Sequence, residues 1–206
     1  MRTCTLQFTP KMMFIREFRA AIKNYLPMKK YNKYLAIFSF LLSACHVSPP
    51  IELVSNGKSN YAIVIPSDPN KQEQRAADLF QAYIQQVSGC SLAVVHHLNE
   101  GSKGIFIREK GNISYDGYRI KTDKNKSIYI DGSKSKGCIY GVITILEKYA
   151  GCHLYTPDYK IIPQNKDIRL PYIDLADSSV NENRMINIPD KAFSHDQDLL
   201  DWHRIS

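Results

Sequence analysis

From residue 61 to residue 172 the apolar positions change period several times, and each change marks an element. Tyr61-Ala62-Ile63-Val64-Ile65 is an unbroken apolar run that stops at Pro66, the pattern of a buried strand. Ser67 to Asn70 supplies turn and helix-capping chemistry. From Lys71 to Val87 the period lengthens: Ala76, Phe80, Tyr83 and Val87 share one helical stripe, Leu79 and Ile84 widen it, and Gly89 is a natural stop. Leu92–Val95 and Gly104–Arg108 predict two more strands. Tyr118 and Ile120 then alternate with Arg119 and Lys121, and Ser127–Ile130 returns after the polar turn at 123–126, which predicts a hairpin.

A second helix is predicted over Gly137–Tyr149, with Ile139, Val142, Ile143, Leu146 and Tyr149 as its stripe and Ala150-Gly151 as its end. Cys152–Tyr155 predicts a short strand, and Ile168–Leu170 a last edge strand ended by Pro171. From Asp174 onward no period is sustained, although Asp198 to Ile205 has the look of an opening helix. The order β-α-β-β-β-β-α-β predicts an α+β fold: a mixed β-sheet of five or six strands with two main helices packed on one face.

The segment ahead of this domain follows another logic. Met28 to Lys33 is basic, Tyr34 to Ala44 (YLAIFSFLLSA) is apolar, and Cys45 follows directly. A basic region, an apolar region and a small-residue cleavage site make a secretory signal, here over 28–44. Eleven helical residues rise about 16 Å, well short of a bilayer core of roughly 30 Å. Leu42-Ser43-Ala44-Cys45 resembles the lipobox of bacterial lipoproteins, which implies Cys45 as the lipidated first residue of the mature chain. Acyl chains on that sulfur would anchor the protein to a membrane. Residues 1–27 read as a gene-model extension upstream of Met28, and residues 45–60, with Pro49-Pro50, as a tether. The resemblance implies the bacterial cell envelope, at the outer membrane facing the periplasm.

Charge first suggests nucleic acid, since 27 Lys and Arg oppose 20 Asp and Glu in 206 residues. Eight of those bases and one acid lie in residues 1–44, so residues 45–206 carry nineteen of each and the nucleic-acid reading falls away. At 44% hydrophobic and 23% charged, the composition excludes a disordered chain and a bundle of membrane helices.

Candidate chemistry is sparse. Cys90, Cys138 and Cys152 match no zinc spacing and read as small buried thiols, with one disulfide as the alternative. His96-His97 point to opposite sides of a strand and cannot readily chelate one ion, so no metal is expected. Gly132 to Gly137 resembles a phosphate loop, but Cys138-Ile139 stands where Lys and Ser or Thr should be, and no cofactor is expected. Asn112-Ile113-Ser114 matches a glycosylation sequon that a bacterial lipoprotein would not normally use. Asp196, Asp198 and Asp201 are of the type that glycoside hydrolysis needs, but they lie in the aperiodic tail and read as solvated acids at a helix start. No catalytic residue is assigned.

Asp131-Gly132, then Gly137-Cys138-Ile139-Tyr140-Gly141-Val142, then Leu146 to Cys152, closing on Tyr155-Thr156-Pro157, resembles the small α/β domain that precedes the catalytic barrel in bacterial glycoside hydrolases. That domain occurs in β-hexosaminidases of family 20, in α-glucuronidases of family 67 and in related lipoproteins of gut Bacteroides-like bacteria. Gly132, Gly137, Gly141 and Gly151 then read as structural turn glycines. The resemblance implies an accessory domain over 61–172 and, over 173–206, a linker into a barrel that this chain lacks. It implies a non-catalytic role, packing against and supporting that barrel in cis, with glycans as further partners and no activity from this chain alone. The alternative is a stand-alone carbohydrate-binding or adaptor lipoprotein, with Tyr155 and Tyr159 near a loop as its aromatic platform.

Overall fold

The computed structural model describes residues 49–178, 184 and 195–205. Residues 28–44, expected as a signal segment, Cys45 and tail positions 179–183 and 185–194 lie outside the described residues. The strands are β1 (Ile51–Val54), β2 (Tyr61–Val64), β3 (Ala93–Val95), β4 (Lys103–Glu109), β5 (Tyr118–Thr122), β6 (Ile128–Gly132), β7 (His153–Thr156), β8 (Tyr159–Ile161), β9 (Ile168–Leu170) and β10 (Asp174–Asp177). The helices are α1 (Lys71–Ser88), α2 (Gly137–Ile145) and α3 (Gln197–Trp202).

The main sheet is mixed and six-stranded, in the order β10-β5-β6-β4-β2-β3. Strands β2, β3, β4 and β6 run parallel, while β5 pairs antiparallel with both β6 and β10. Helix α1 connects parallel neighbours β2 and β3 and packs against α2, and α2 lies over β4, β5 and β6. Both helices therefore share one face, as the pattern predicts. Among the described residues no helix is long and apolar enough to cross a membrane.

The sequence explains where α1 begins and ends. The Asn70 side chain accepts from the amides of Gln72 (2.9 Å) and Glu73 (2.8 Å), and Glu73 returns a carboxylate oxygen to the Asn70 amide (2.8 Å), a reciprocal capping box. Gly89 closes the helix with φ of +75°, where a β-carbon would be strained. All six positions of the predicted stripe are buried.

Helix α2 departs from a simple amphipathic pattern, because every residue from Gly137 to Ile145 is buried. The helix predicted over 137–149 changes to a π-helical turn at Leu146–Ala150 and ends at Gly151, whose φ is +74°. Of the four glycines read as turn residues, only Gly151 acts in that way. A β-carbon on Gly132 would collide with the Cys138 backbone nitrogen, one on Gly137 with the Gly117 carbonyl, and one on Gly141 would lie 2.6 Å from Ile130 Cγ2. These three permit close approach of α2 to β6, and their role is packing.

Three sequence expectations change. Ile51–Val54 falls in the segment expected as a tether, yet Ile51, Leu53 and Val54 are buried and β1 pairs antiparallel with β9. Pro49-Pro50 obscured that strand; the sharp turn is at Asn56-Gly57, where both φ values are positive. The strand expected over Cys152–Tyr155 as part of the main sheet is β7 (His153–Thr156), which forms a separate hairpin with β8, and β9 likewise stands outside the sheet. Asp174–Asp177, in the expected linker, is an edge strand of the main sheet. Its sequence, DLAD, has no apolar period because only Leu175 packs against the core.

Gly132→Ala should destabilise the domain by about 3 kcal/mol or more, since backbone must move. Gly111→Ala, with open space around its added methyl, should change stability by less than about 0.5 kcal/mol. Urea unfolding followed by circular dichroism measures both. Equal midpoints would refute the close-approach role.

Candidate functional site

The polar side chains with a fixed geometry gather on the outer side of the two main helices, where the C-terminal segment lies. Helix α3 packs on α2 and β7, its Leu199 and Trp202 are buried, and the Trp202 ring lies 5.1 Å from that of Tyr83 on α1. It also brings three carboxylates. Asp196 caps α3, accepting from the Leu199 amide at 3.0 Å, and receives the Lys160 ammonium at 2.6 Å. Burial pushes the Asp196 pKa up, but the Lys160 hydrogen bond and the cap amides outweigh it, and the group sits below its ordinary value.

Asp198 pairs with Arg75 and accepts from the Tyr83 hydroxyl at 3.0 Å. Burial, then the Asp198 charge, raise the Tyr83 pKa far above the ordinary phenol range. Asp201, 1% exposed, lies 3.2 Å from the Lys136 ammonium and 3.4 Å from Arg75 Nε, and accepts from Gln197 at 3.0 Å. The Lys136 ammonium also donates to the Ile205 carbonyl at 2.8 Å. The tail acids expected to be solvated are therefore held in a scaffold from α1, the start of α2 and β8. Sequence periodicity missed this because Arg75 and Lys136 are distant in the chain, and α3 is too short to show a stripe.

A second cluster joins α2 to the tail. Asp116 is buried, accepts from Arg184 at 2.8 Å, and also takes the Lys136 amide at 3.3 Å. Arg204 donates to Thr144 Oγ1 at 3.1 Å, and its guanidinium lies 5.5 Å from the Tyr118 ring and 5.3 Å from the Tyr140 ring. Burial and the Asp116 charge raise the Tyr140 pKa, and its hydroxyl has no hydrogen-bond partner among the described residues. These groups border a cavity of about 350 Å³ lined by Asp116, Tyr118, Asp177, Ser178, Arg184 and Arg204. A neighbouring cavity of about 580 Å³ includes Asn112, Arg119 and Asp131. The carboxylates of both cavities face cations: Asp116 faces Arg184, Asp177 faces Arg204, and Asp131, which lines the larger cavity together with Asp177, faces Arg108 and Lys110.

The remaining candidates are dispersed. His96 Nδ1 lies 2.9 Å from the Pro66 carbonyl, just past β3. Cys90, Cys138 and Cys152 are free and buried, and burial pushes the Cys138 thiol up to about 12 and the Cys152 thiol up to about 11. Among the described residues no group of three or more His, Cys, Asp or Glu side chains could hold a metal ion. Tyr155 and Tyr159 do come together, on the β7–β8 hairpin, with ring centroids 5.4 Å apart.

Asp201→Ala should cost about 2–3 kcal/mol, because Arg75 and Lys136 lose their shared buried partner yet still reach water. Asp174→Ala removes only an exposed pair with Arg119 and should cost less than about 1 kcal/mol. Chemical denaturation of both variants checks this order, and equal losses would remove the clamp role from Asp201.

Comparison with known proteins sets these features in context. Residues 53–151 match the family model described as glycosyl hydrolase family 20, domain 2. No curated protein matches the chain. Among solved structures, an inactive variant of the Vibrio harveyi exo-β-N-acetylglucosaminidase of family 20 is 15% identical, over 65% of this chain and 17% of its own, with a TM-score of 0.43. A 4-O-methyl-α-glucuronidase of family 115, specific for decorated arabinogalactans, is 16% identical over 65% and 19%, with a TM-score of 0.49. The family 20 β-N-acetylhexosaminidase of Streptomyces coelicolor A3(2) is 19% identical over 62% and 23%, with a TM-score of 0.46. The chain thus spans less than a quarter of the length of each of these enzymes. The matched segment holds both main helices and strands β2 to β6, and it resembles glycosyl hydrolase family 20, domain 2, which supports an accessory domain of glycoside hydrolases.

Proposed function

We propose that this chain is the non-catalytic accessory part of a carbohydrate-active enzyme, and that it packs against and supports a catalytic barrel. The observation that carries this reading is the match of residues 53–151 to family 20, domain 2. The chemistry of the tail agrees with it. Asp198 and Asp201 are committed to Arg75, Lys136 and Tyr83, and Asp196 to Lys160, so none of the three is placed to protonate or attack a glycosidic bond. What the polar clusters supply is rigidity: they fasten the C-terminal segment to both helices and so fix where the chain leaves the domain.

We further propose that the protein reaches the cell envelope as a lipoprotein. The signal segment 28–44 is cut before Cys45, whose sulfur carries the lipid, and the domain then faces the periplasm from the outer membrane. A second reading, a stand-alone carbohydrate-binding lipoprotein, draws on the exposed Tyr155 and Tyr159 of the β7–β8 hairpin.

Two experiments test these readings. The purified chain should release no nitrophenol from 4-nitrophenyl N-acetyl-β-glucosaminide or 4-nitrophenyl glucuronide above the buffer rate; turnover that co-purifies with the chain would overturn the non-catalytic assignment. Expressed in a Gram-negative host, the protein should take up labelled palmitate and fractionate with membranes, and Cys45→Ala should abolish both. Label retained by Cys45→Ala, or a mature N-terminus mapped elsewhere, would remove the lipoprotein reading.

A further inference from the structure

The β7–β8 hairpin has two unlike faces. Its strands pair His153 with Ile161, Leu154 with Lys160 and Thr156 with Tyr159, with a bulge between Leu154 and Thr156. On one face Leu154 is buried in the core and Lys160 is tied to Asp196. On the other, His153, Tyr155, Tyr159 and Ile161 stand together. Tyr155 is 46% exposed, Tyr159 58% and Ile161 39%. The rings form a row: His153 stacks on Tyr155 at 5.9 Å and Tyr155 on Tyr159 at 5.4 Å, both pairs tilted by 25°.

The row is held from beneath. Leu154 anchors β7, the Lys160–Asp196 pair joins β8 to the start of α3, and the His203 ring lies 3.1 Å from the Tyr155 carbonyl. Such a platform is organised before anything binds it, which lowers the entropy cost of binding.

Size and charge select the occupant. Two half-exposed tyrosines of about 200 Å² each, with Ile161 and His153, offer on the order of 300 Å², against roughly 800 Å² per partner in a stable protein interface. The face is therefore small for a second copy of the chain or another protein domain. Of the hairpin's charges, Lys160 is neutralised by Asp196 and Asp158 lies exposed in the turn, so the face offers no unpaired lysine or arginine to an anionic ligand. The fitting ligand is small, neutral and amphipathic, with a flat C–H surface to lie on the rings and hydroxyls that stay in water at the rim. A pyranose ring has that form, and the row is long enough for two.

We propose that the aromatic face of the β7–β8 hairpin, His153–Tyr155–Tyr159 with Ile161, is a binding subsite for a neutral oligosaccharide, separate from any hydrolytic centre. It adds a function to the accessory-domain reading and rests on that reading only for the polysaccharide setting. Calorimetric titration of the chain with tetra-N-acetylchitotetraose and with xylotetraose tests it. At least one sugar should bind, and Tyr159→Ala and Tyr155→Ala should each weaken it by about tenfold or more. Tyr159→Phe and Tyr115→Ala, the latter at an exposed tyrosine outside the row, should leave affinity within about twofold.

Circular dichroism establishes that each variant is folded; if Tyr155→Ala is not, the more exposed Tyr159 carries the test. Absence of heat with both sugars overturns the proposal, as does binding that survives Tyr159→Ala. Self-association of the chain that disappears in Tyr159→Ala, with no sugar binding, also overturns it and assigns the face to a second copy. None of these outcomes touches the accessory-domain reading, which is read from turnover by the chain itself.

Discussion

The structure depends on one constraint: α2 has no polar face. All nine of its residues are buried, and a helix apolar all round must be covered all round. The sheet covers one side. That contact is unusually close, because Gly132 and Gly137 bring backbone against backbone at β6 and the β5 entry, and Gly141 lets the helix lie directly on the Ile130 side chain. Helix α1 covers the flank, and α3, with Leu199 and Trp202, covers the outside. An amphipathic helix would have left the C-terminal segment free to be a linker; this one requires it as a third layer.

Covering an apolar helix with a polar segment creates an electrostatic cost, and the charge clusters answer it. A lone carboxylate with the burial of Asp201 or Asp116 would be strongly unfavourable. Asp201 meets Lys136 and Arg75, and Asp116 meets Arg184 and the amide at the start of α2. Arg204 lies beside the rings of Tyr118 and Tyr140, an arrangement favourable to a guanidinium. The same contacts that neutralise these groups fasten the C-terminal segment to both main helices.

Local chemistry is what the sequence by itself determined. The Asn70 cap, the Gly89 and Gly151 stops and the buried stripe of α1 follow from short-range periods and backbone preferences, so they were legible without any fold. The parallel core strands were legible for the same reason, since each is a short apolar run bounded by turn residues. The likeness to a glycoside hydrolase accessory domain was carried by the same glycines and helix pattern. Only the tertiary structure decided what depends on partners far apart in the chain. Strand β10 has almost no period of its own, and the short apolar alternation of β1 is hidden behind Pro49-Pro50; the hydrogen bonds of β5 and β9 complete both strands. Whether Asp201 was a solvated acid or a buried clamp depended on Arg75 and Lys136, 126 and 65 residues away, and no local pattern encodes such a meeting. Gly132 and Gly137 read as turn glycines in one dimension; the reason for glycine there, a helix nitrogen or a carbonyl where a β-carbon would stand, appears only when the layers are packed.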